Sequence, residues 1–136
     1  MIKTKELMLG NWVLAGAKTQ FPMYVTGIFD DVAYLDFEGN EGDVWEEKEE
    51  DMLPVPLTEE ILLKNGFVLE YDGYSKEYLY KDQKNNFINI EFEDGKCAYI
   101  CISVKRREVT EQNCLKYLHE FQNMITLAGI EMEFKI

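Results

Sequence analysis

The side chains in this sequence that could carry acid–base chemistry form no recognisable catalytic pattern. His119 is the only histidine, with no serine, cysteine or aspartate arranged beside it as a catalytic partner. It falls on the polar side of a helical pattern, so we expect it to be solvated. The GxSxG, HExxH, P-loop and GxGxxG motifs are absent. The sequence predicts no catalytic residue and no cofactor; an enzyme assembled from distant residues such as His119, Tyr74 and Glu91 is an alternative.

Two groups of residues are similar to metal or disulfide sites only in part. The acidic run 36–43, followed by Glu47, approaches a calcium-binding loop, but its third position is Glu38 and its glycine comes one place late. Cys97 and Cys101 would lie about 13 Å apart on one strand, too far for a disulfide. We therefore expect a solvated turn, reduced thiols and no metal ligand.

The charge of the chain excludes two classes of partner. The formal net charge is −12. Residues 1–57 hold twelve acids and four bases, a net of −8, and residues 58–136 hold fourteen acids and ten bases, a net of −4. This balance repels nucleic acid and anionic membranes. The one basic run, Lys105-Arg106-Arg107, reads as a solvated loop at a strand end.

The cellular location of the protein can be predicted from whether the chain contains a targeting or membrane-spanning segment. No run approaches the roughly 20 apolar residues of a bilayer span. The first six residues do not begin a signal peptide. Three cysteines, an odd number, are typical of a reducing compartment. We expect a cytoplasmic protein.

An aromatic set beside acidic residues gives the strongest indication of function. Trp12, Tyr34, Asp43 and Trp45 form the candidate interaction surface, because small β-domains bind peptides through aromatic residues beside acidic loops. Alternatively, these rings fill the core of their unit. The predicted function is a non-enzymatic interaction module whose partner is another protein. The alternative is an acidic mimic or inhibitor of a nucleic-acid-binding protein, which would bind a basic partner in a salt-sensitive way.

The elements that position these residues divide into two predicted units. Residues 1–55 contain short strands at 12–14, 23–29 and 32–37, which favour a small SH3-like barrel or a bent sheet. Pro54 and Pro56 favour an extended connector that closes this unit.

Residues 56–136 predict an antiparallel sheet with helices packed on one face, so the predicted fold class is α+β. Thr58 caps a short helix that Gly66 ends. Strands follow at 67–72, 77–82, 87–93 and 96–104, and a three-residue loop at 93–95 best matches the apolar faces of the last two. The pattern then predicts a helix over 112–128, whose face of Leu118, Phe121 and Ile125 packs on the sheet, and a final strand over 130–136 that joins it.

Three segments together resemble a known group of sequences. They are Glu6–Val13, Pro54–Leu62 and Tyr117–Asn123. In this order they are similar to the "LRIGNWV", "PIPLTEEWLLKFGF" and "VHxLQNLYFALTG" patterns of uncharacterised small proteins encoded in gut-bacterial genomes, often in phage-like or mobile regions. The chain departs at 125–129, which lacks the aromatic residues of the third pattern. The resemblance implies a cytoplasmic location and no particular activity.

Overall fold

The computed structural model describes residues 1–16, 18–40, 43 and 45–136. The protein is mainly β, with 45% of its residues in strands and 17% in helices. Residues 1–56 and 117–123 form one compact unit, and residues 57–116 and 124–136 form a second. The antiparallel sheets of the predicted α+β class are confirmed, whereas helices are a smaller part of the fold than predicted.

The first unit is built on an antiparallel sheet of five strands, whose order is β4-β3-β2-β1-β5. The strands are β1 (Trp12–Ala15), β2 (Phe21–Phe29), β3 (Val32–Asp36), β4 (Trp45–Lys48) and β5 (Met52–Pro54). Short 3-10 turns at Thr4–Glu6 and Glu49–Asp51 precede β1 and β5. Within the described residues β4 and β5 are unpaired edges, so the closed-barrel alternative is wrong and the sheet is open.

One face of this sheet forms the core of the first unit. Its side chains alternate with exposed or half-buried ones along each strand, as expected for a sheet with one buried face. The buried cluster consists of Ile2, Leu7, Val13, Ala15, Met23, Val25, Ala33, Leu35 and Met52. Phe21 and Phe37 pack against its margin.

The second unit contains a short helix and a second antiparallel sheet of five strands, in the order β10-β9-β8-β7-β6. The elements are α1 (Glu59–Lys64), β6 (Val68–Asp72), β7 (Lys76–Lys81), β8 (Phe87–Glu93), β9 (Lys96–Val104) and β10 (Arg107–Asn113). The first four of these strands were predicted within one residue at each end. The caps of α1 are also confirmed, since the Thr58 hydroxyl accepts from the Ile61 amide at 3.3 Å and Gly66 has φ of +84°.

The register of the β8–β9 hairpin differs from the prediction. Its loop has two residues, Asp94 and Gly95, both with positive φ, and Glu93 pairs with Lys96. The ladder shifts by one residue between Cys97 and Tyr99, because Ala98 forms a bulge. The bulge places Ile100 opposite Ile90, so the apolar residues share a face even though the loop is shorter than predicted.

The predicted helix over 112–128 is wrong in its first half. Residues 107–113 form β10, and the helix α2 spans only Leu118–Leu127. Lys105 and Arg106 both adopt positive φ and make a tight hairpin turn, a conformation that glycine or asparagine usually signals. Because neither residue type is present, this hairpin could not be predicted from its local sequence.

The predicted final strand is also wrong, although more and less buried residues do alternate along this segment. Residues 130–136 form no strand, whereas Ile130 and Phe134 are buried. The Asn65 side chain takes the place of a neighbouring strand, because its amide donates to the Lys135 carbonyl at 2.8 Å and accepts from the Lys135 amide at 2.7 Å.

Candidate interaction surface

The face of the first sheet that points away from its core is called the outer face. It alternates with the buried cluster in the paired register of the five strands. Its residues are Trp12, Leu14, Pro22, Tyr24, Phe29, Val32, Tyr34, Asp36, Glu46, Lys48 and Leu53. Phe29 is 67% exposed and Leu53 is 37% exposed. The outer face therefore presents apolar and aromatic side chains to solvent, where an ordinary solvated face carries polar ones.

Trp12 is positioned by side chains from the start of α2. It lies opposite Tyr24 in the β1–β2 ladder, and their rings meet edge to face with centroids 5.3 Å apart. The Gln122 carboxamide accepts from the Trp12 backbone amide at 3.0 Å and donates to the Gly10 carbonyl at 3.0 Å. Because this carboxamide is buried, its two hydrogen bonds fix the start of β1 and so the position of the indole.

A buried asparagine joins the same network. The Asn11 side chain accepts from the Met8 amide at 2.9 Å and donates to the Asn123 side chain at 2.8 Å. Asn123 in turn donates to the Glu6 carbonyl at 2.8 Å. Asn11 is 2% exposed, so these bonds replace the ones it would make with water.

Tyr34 lies opposite a glycine because of a bulge in β2. The ladder between β2 and β3 shifts at Thr26, so Gly27 lies opposite Tyr34. A Cβ atom on Gly27 would lie 3.2 Å from the Tyr34 ring, which shows that the ring rests on the glycine backbone. The Thr26 hydroxyl also donates to the Tyr34 carbonyl at 3.2 Å. Glycine thus provides the platform for an aromatic side chain at the middle of the face.

The β3 and β4 side of the outer face carries two acids and one base. Glu46 lies directly opposite Tyr34 and is exposed, and Lys48, also exposed, lies two residues further along the same face of β4. Asp36 lies opposite Tyr24 but is only 9% exposed, and it accepts from the Phe37 amide and the Asn40 carboxamide, which are neutral donors. Among the described residues no ion pair involves Glu46 or Asp36.

Only two of the four predicted surface residues meet on this face. Trp12 and Tyr34 lie on it, as described. Trp45 lies opposite Leu35, hence on the inner side, where it meets Phe21 edge to face at 6.1 Å and its indole donates to Glu47 at 2.6 Å. Asp43 is exposed but precedes β4. The sequence-based prediction omitted four residues of the outer face: Leu14, Tyr24, Phe29 and Leu53. Within each strand, residues of the outer face alternate with those that point to the core, so this alternation could have indicated them. Glu41 and Gly42, part of the acidic run 36–43, lie outside the described residues.

His119 is buried rather than solvated, so that prediction is wrong. It is 3% exposed, and its ring stacks on the Tyr117 ring at 6.0 Å with an interplanar angle of 12°. Its Nδ1 atom has no hydrogen-bond partner. Burial lowers the pKa of His119, because the charged imidazolium would lose its hydration there, while the carboxylates of Glu120 and Glu6 oppose this shift.

The outer side of the second sheet carries both polar and apolar side chains. Its residues include Val68, Tyr71, Glu77, Leu79, Lys81, Phe87, Asn89, Glu91, Tyr99 and Cys101, of which Val68 and Tyr71 on the edge strand β6 are exposed. The Tyr99 hydroxyl donates to Glu111 at 2.7 Å, and the Lys81 ammonium lies 5.4 Å from the centre of the Phe87 ring. The hydrogen bond to Glu111 raises the pKa of Glu108, so these two carboxyl groups share a proton more readily than isolated ones.

The remaining chemically interesting groups do not assemble into a site. All three cysteines are free thiols, and burial raises the pKa of Cys97 to about 11, which makes it unreactive. Across the described ranges no group of three His, Cys, Asp or Glu side chains could hold a metal ion. A cavity of about 470 Å³ in the second unit is lined by Tyr80, Lys81, Asp82, Gln83, Lys84, Asn86, Gly129 and Glu131.

No protein-family model, curated protein or solved structure matches this chain. Of the helices that the structure describes, none is long and apolar enough to cross a lipid bilayer.

A backbone hydrogen bond ties α2 to the segment that follows β5. The Leu118 amide donates to the Val55 carbonyl at 2.8 Å, and both residues belong to the first unit.

Proposed function

We propose that this protein is a non-enzymatic interaction module that binds another protein through the outer face of its first sheet. The observation that carries the proposal is the exposure of apolar side chains on that face, of which Phe29 and Leu53 are the most open. Exposed apolar surface is costly in water, and apolar side chains that share one face of a sheet can mark an interaction site.

The design of the face supports this role. Trp12 and Tyr24 are half-buried and fixed by ring contacts, and Tyr34 rests on Gly27. Rigid aromatic side chains lose little conformational entropy on binding, which is why they dominate the energetics of interfaces. A face that served only to be solvated would gain nothing from a buried network that holds its tryptophan in place.

The topology of the first unit also supports the proposal. Four strands form a meander, and a fifth returns to pair with β1 after a 3-10 turn at Glu49–Asp51. This order supports the proposal that the first unit acts as a small SH3-like domain, as predicted from the sequence. Domains of this kind recognise extended peptides through aromatic residues. Three free thiols suit a cytoplasmic partner.

The test is capture from native lysate with two matched double variants. Phe29→Ser with Leu53→Ser removes two exposed apolar side chains from the outer face. Tyr74→Ser with Leu127→Ser removes two from elsewhere, since Tyr74 is 94% and Leu127 is 80% exposed. Mass spectrometry should identify a protein retained by the wild type and by the second variant and lost with the first. Equal recovery with both variants would refute the proposed surface, and circular dichroism confirms that each variant is folded.

A further inference from the structure

We infer that two copies of this chain associate through β6, the edge strand of the second sheet, with the two strands pairing antiparallel about a two-fold axis. The inference is independent of the proposed function, because β6 belongs to the second unit and the outer face of the first sheet belongs to the first.

Strand β6 leaves one side of its backbone open. It lies at the end of the strand order β10-β9-β8-β7-β6, and among the described residues no strand pairs with its far side. All five residues of β6 are exposed. Three of them are large and apolar, since Val68 is 57%, Leu69 is 39% and Tyr71 is 54% exposed. An edge that offers both unpaired peptide groups and apolar side chains is a template for another strand.

The other three sheet edges are protected by the means that natural proteins use. Three of the four residues of β4 are charged, and β5 has only three residues and ends in Pro54. The charged residues Arg107, Glu108 and Glu111 lie on β10, the opposite edge of the second sheet. Charged side chains, proline and short length all discourage pairing at an edge. Association is therefore expected at β6 in preference to the other edges.

A bulge makes the edge of β6 complementary to itself. The β6–β7 ladder shifts at Glu70, so Val68 lies opposite Leu79 and Tyr71 lies opposite Glu77. Val68 and Tyr71 therefore point to the same side of the sheet although three positions separate them, which strict alternation forbids. Two-fold antiparallel pairing keeps each side of the sheet continuous across the interface. Val68 of one copy then lies opposite Tyr71 of the second copy, and this apolar pair occurs twice.

The same register separates the acids of β6. Glu70 lies opposite Leu69 of the second copy rather than opposite its own counterpart, where like charges would repel. Asp72 already lies opposite Lys76 of β7, which carries the opposite charge. A second copy thus supplies apolar partners for this edge without placing two carboxylates opposite each other.

Tyr71 is held in position before association. Its ring lies over Gly73, where an added Cβ atom would overlap the ring. The glycine therefore holds a large aromatic side chain in place while more than half of that residue stays in solvent. An aromatic side chain that is fixed in advance loses little entropy when a second copy covers it.

The area of the edge predicts the strength of the dimer. At about 200 Å² for a large apolar side chain, the exposed fractions of Val68, Leu69 and Tyr71 amount to roughly 300 Å² per copy and roughly 600 Å² in the pair. The polar side chains and peptide groups of the two strands add to this area. Interfaces below about 1,200 Å² are typical of weak association, so we expect a dimer that dissociates on dilution.

The experiment is sedimentation velocity on the full chain over total concentrations of about 1–500 µM, which spans the dissociation constants of weak dimers. Val68→Lys and Tyr71→Lys each place a charged side chain on the open edge. Val109→Lys is the matched control, because Val109 is 49% exposed on β10, the opposite edge of the same sheet. The net charge of the chain is −12, so each added lysine lowers the repulsion between copies. Circular dichroism confirms that each variant is folded.

The wild type should change from monomer to dimer as its concentration rises. Val68→Lys and Tyr71→Lys should each raise the dissociation constant of the dimer by about tenfold or more, whereas Val109→Lys should change it by less than about twofold. Hydrogen exchange of the wild type gives a measurement that needs no variant. Amide protons of residues 68–72 should be better protected at high than at low concentration, and those of residues 107–113 should not.

Four results would overturn the inference. A wild type that stays monomeric at every concentration excludes the dimer. A dimer that persists in both β6 variants, or that is lost equally in all three variants, does not form through β6. If the wild type is monomeric and a protein captured from lysate is lost with Tyr71→Lys, the edge takes an extended segment of another protein instead of a second copy. The proposed function is tested separately, by recovery with the two double variants of the first unit and its control.

Discussion

The two sheets of this protein have the same number of strands and the same antiparallel pairing, yet aromatic and apolar side chains lie in different places on their outer sides. On the second sheet, the exposed Val68 and Tyr71 lie on the edge strand β6, while the Tyr99 hydroxyl donates to Glu111 and the Lys81 ammonium lies over the Phe87 ring. On the first, the Trp12 and Tyr24 rings meet edge to face on the inner strands β1 and β2, and the buried Gln122 holds the backbone of Trp12. This difference is the reason that the proposed binding surface is placed on the first sheet.

If the outer sides contribute little to folding, the free energy of unfolding must come from the buried residues. The largest effect of a substitution on that free energy should therefore be found in the core. Phe121 is fully buried, so Phe121→Ala should lower the free energy of unfolding by about 3–5 kcal/mol, because it removes apolar contacts and leaves a cavity. Leu127→Ala, on the same helix but 80% exposed, should change it by less than about 0.5 kcal/mol. Denaturant titration measures both. Similar losses for the two variants would mean that the burial of α2 is misassigned.

The hydrogen bonds that Gln122 makes around Trp12 should have the second-largest effect on the free energy of unfolding. Gln122→Ala removes the acceptor of the Trp12 amide and the donor to the Gly10 carbonyl, and should lower the free energy of unfolding by about 1–3 kcal/mol. Gln122→Glu keeps the acceptor and loses the donor, so its loss should include the added cost of a buried charge. Trp12 fluorescence should shift to longer wavelength in both variants as water reaches the indole. An unshifted spectrum would show that Gln122 does not position it.

His119 should make stability depend on pH. Its pKa is lowered in the folded state, so the unfolded chain binds a proton more readily. Its contribution is fully present above the unfolded pKa of about 6.5 and is lost as the pH falls towards the lower folded value. Thermal denaturation between about pH 7.5 and 5.5 should show falling stability in the wild type and a flatter profile in His119→Gln. Equal slopes would contradict the burial of this imidazole. The variant itself should also be less stable, contrary to the expectation for a solvated histidine.

The smallest effects should come from the two outer sides. Phe29→Ser on the first sheet and Tyr99→Phe on the second should each change the free energy of unfolding by within about 0.5 kcal/mol, because both residues are exposed or half-exposed. The binding of a hydrophobic fluorescent dye separates them: Phe29→Ser should reduce it, and Tyr99→Phe should leave it unchanged. Equal dye binding by all three proteins would remove the distinction between the two outer sides.

Local patterns in the sequence identified most of the strands, but not the features that join them. Alternation placed β1–β3 and β6–β9, and the capping residues placed α1. The bulge at Ala98 and the tight turn at Lys105 and Arg106 were missed, because each is stabilised by pairing between strands and has no marker among its own residues. For the same reason the predicted helix over 112–128 began too early, since only Leu118–Leu127 is helical.

The candidate surface was predicted only in part. Residue type can be read from a sequence, whereas the side of the sheet to which a side chain points cannot. Trp12 and Tyr34 were chosen for their aromatic rings and do share a face. Trp45 was chosen on the same ground and lies on the opposite side, since its direction depends on the β3–β4 register. The burial of His119 could not be seen from the helical pattern, which placed it on the polar side of α2 without showing that the first unit covers that side.

The clamp between Asn65 and the Lys135 backbone has a consequence for exchange with solvent. Two hydrogen bonds from one side chain hold the backbone there, where a strand would use a ladder. Releasing a single carboxamide frees both bonds at once, so the backbone of residues 131–136 can open locally more readily than a strand within the sheet. Amide protons of residues 131–136 should therefore exchange with deuterium by local opening, well before those of β8 and β9. Asn65→Ala should speed that exchange while leaving the protection of the two central strands intact.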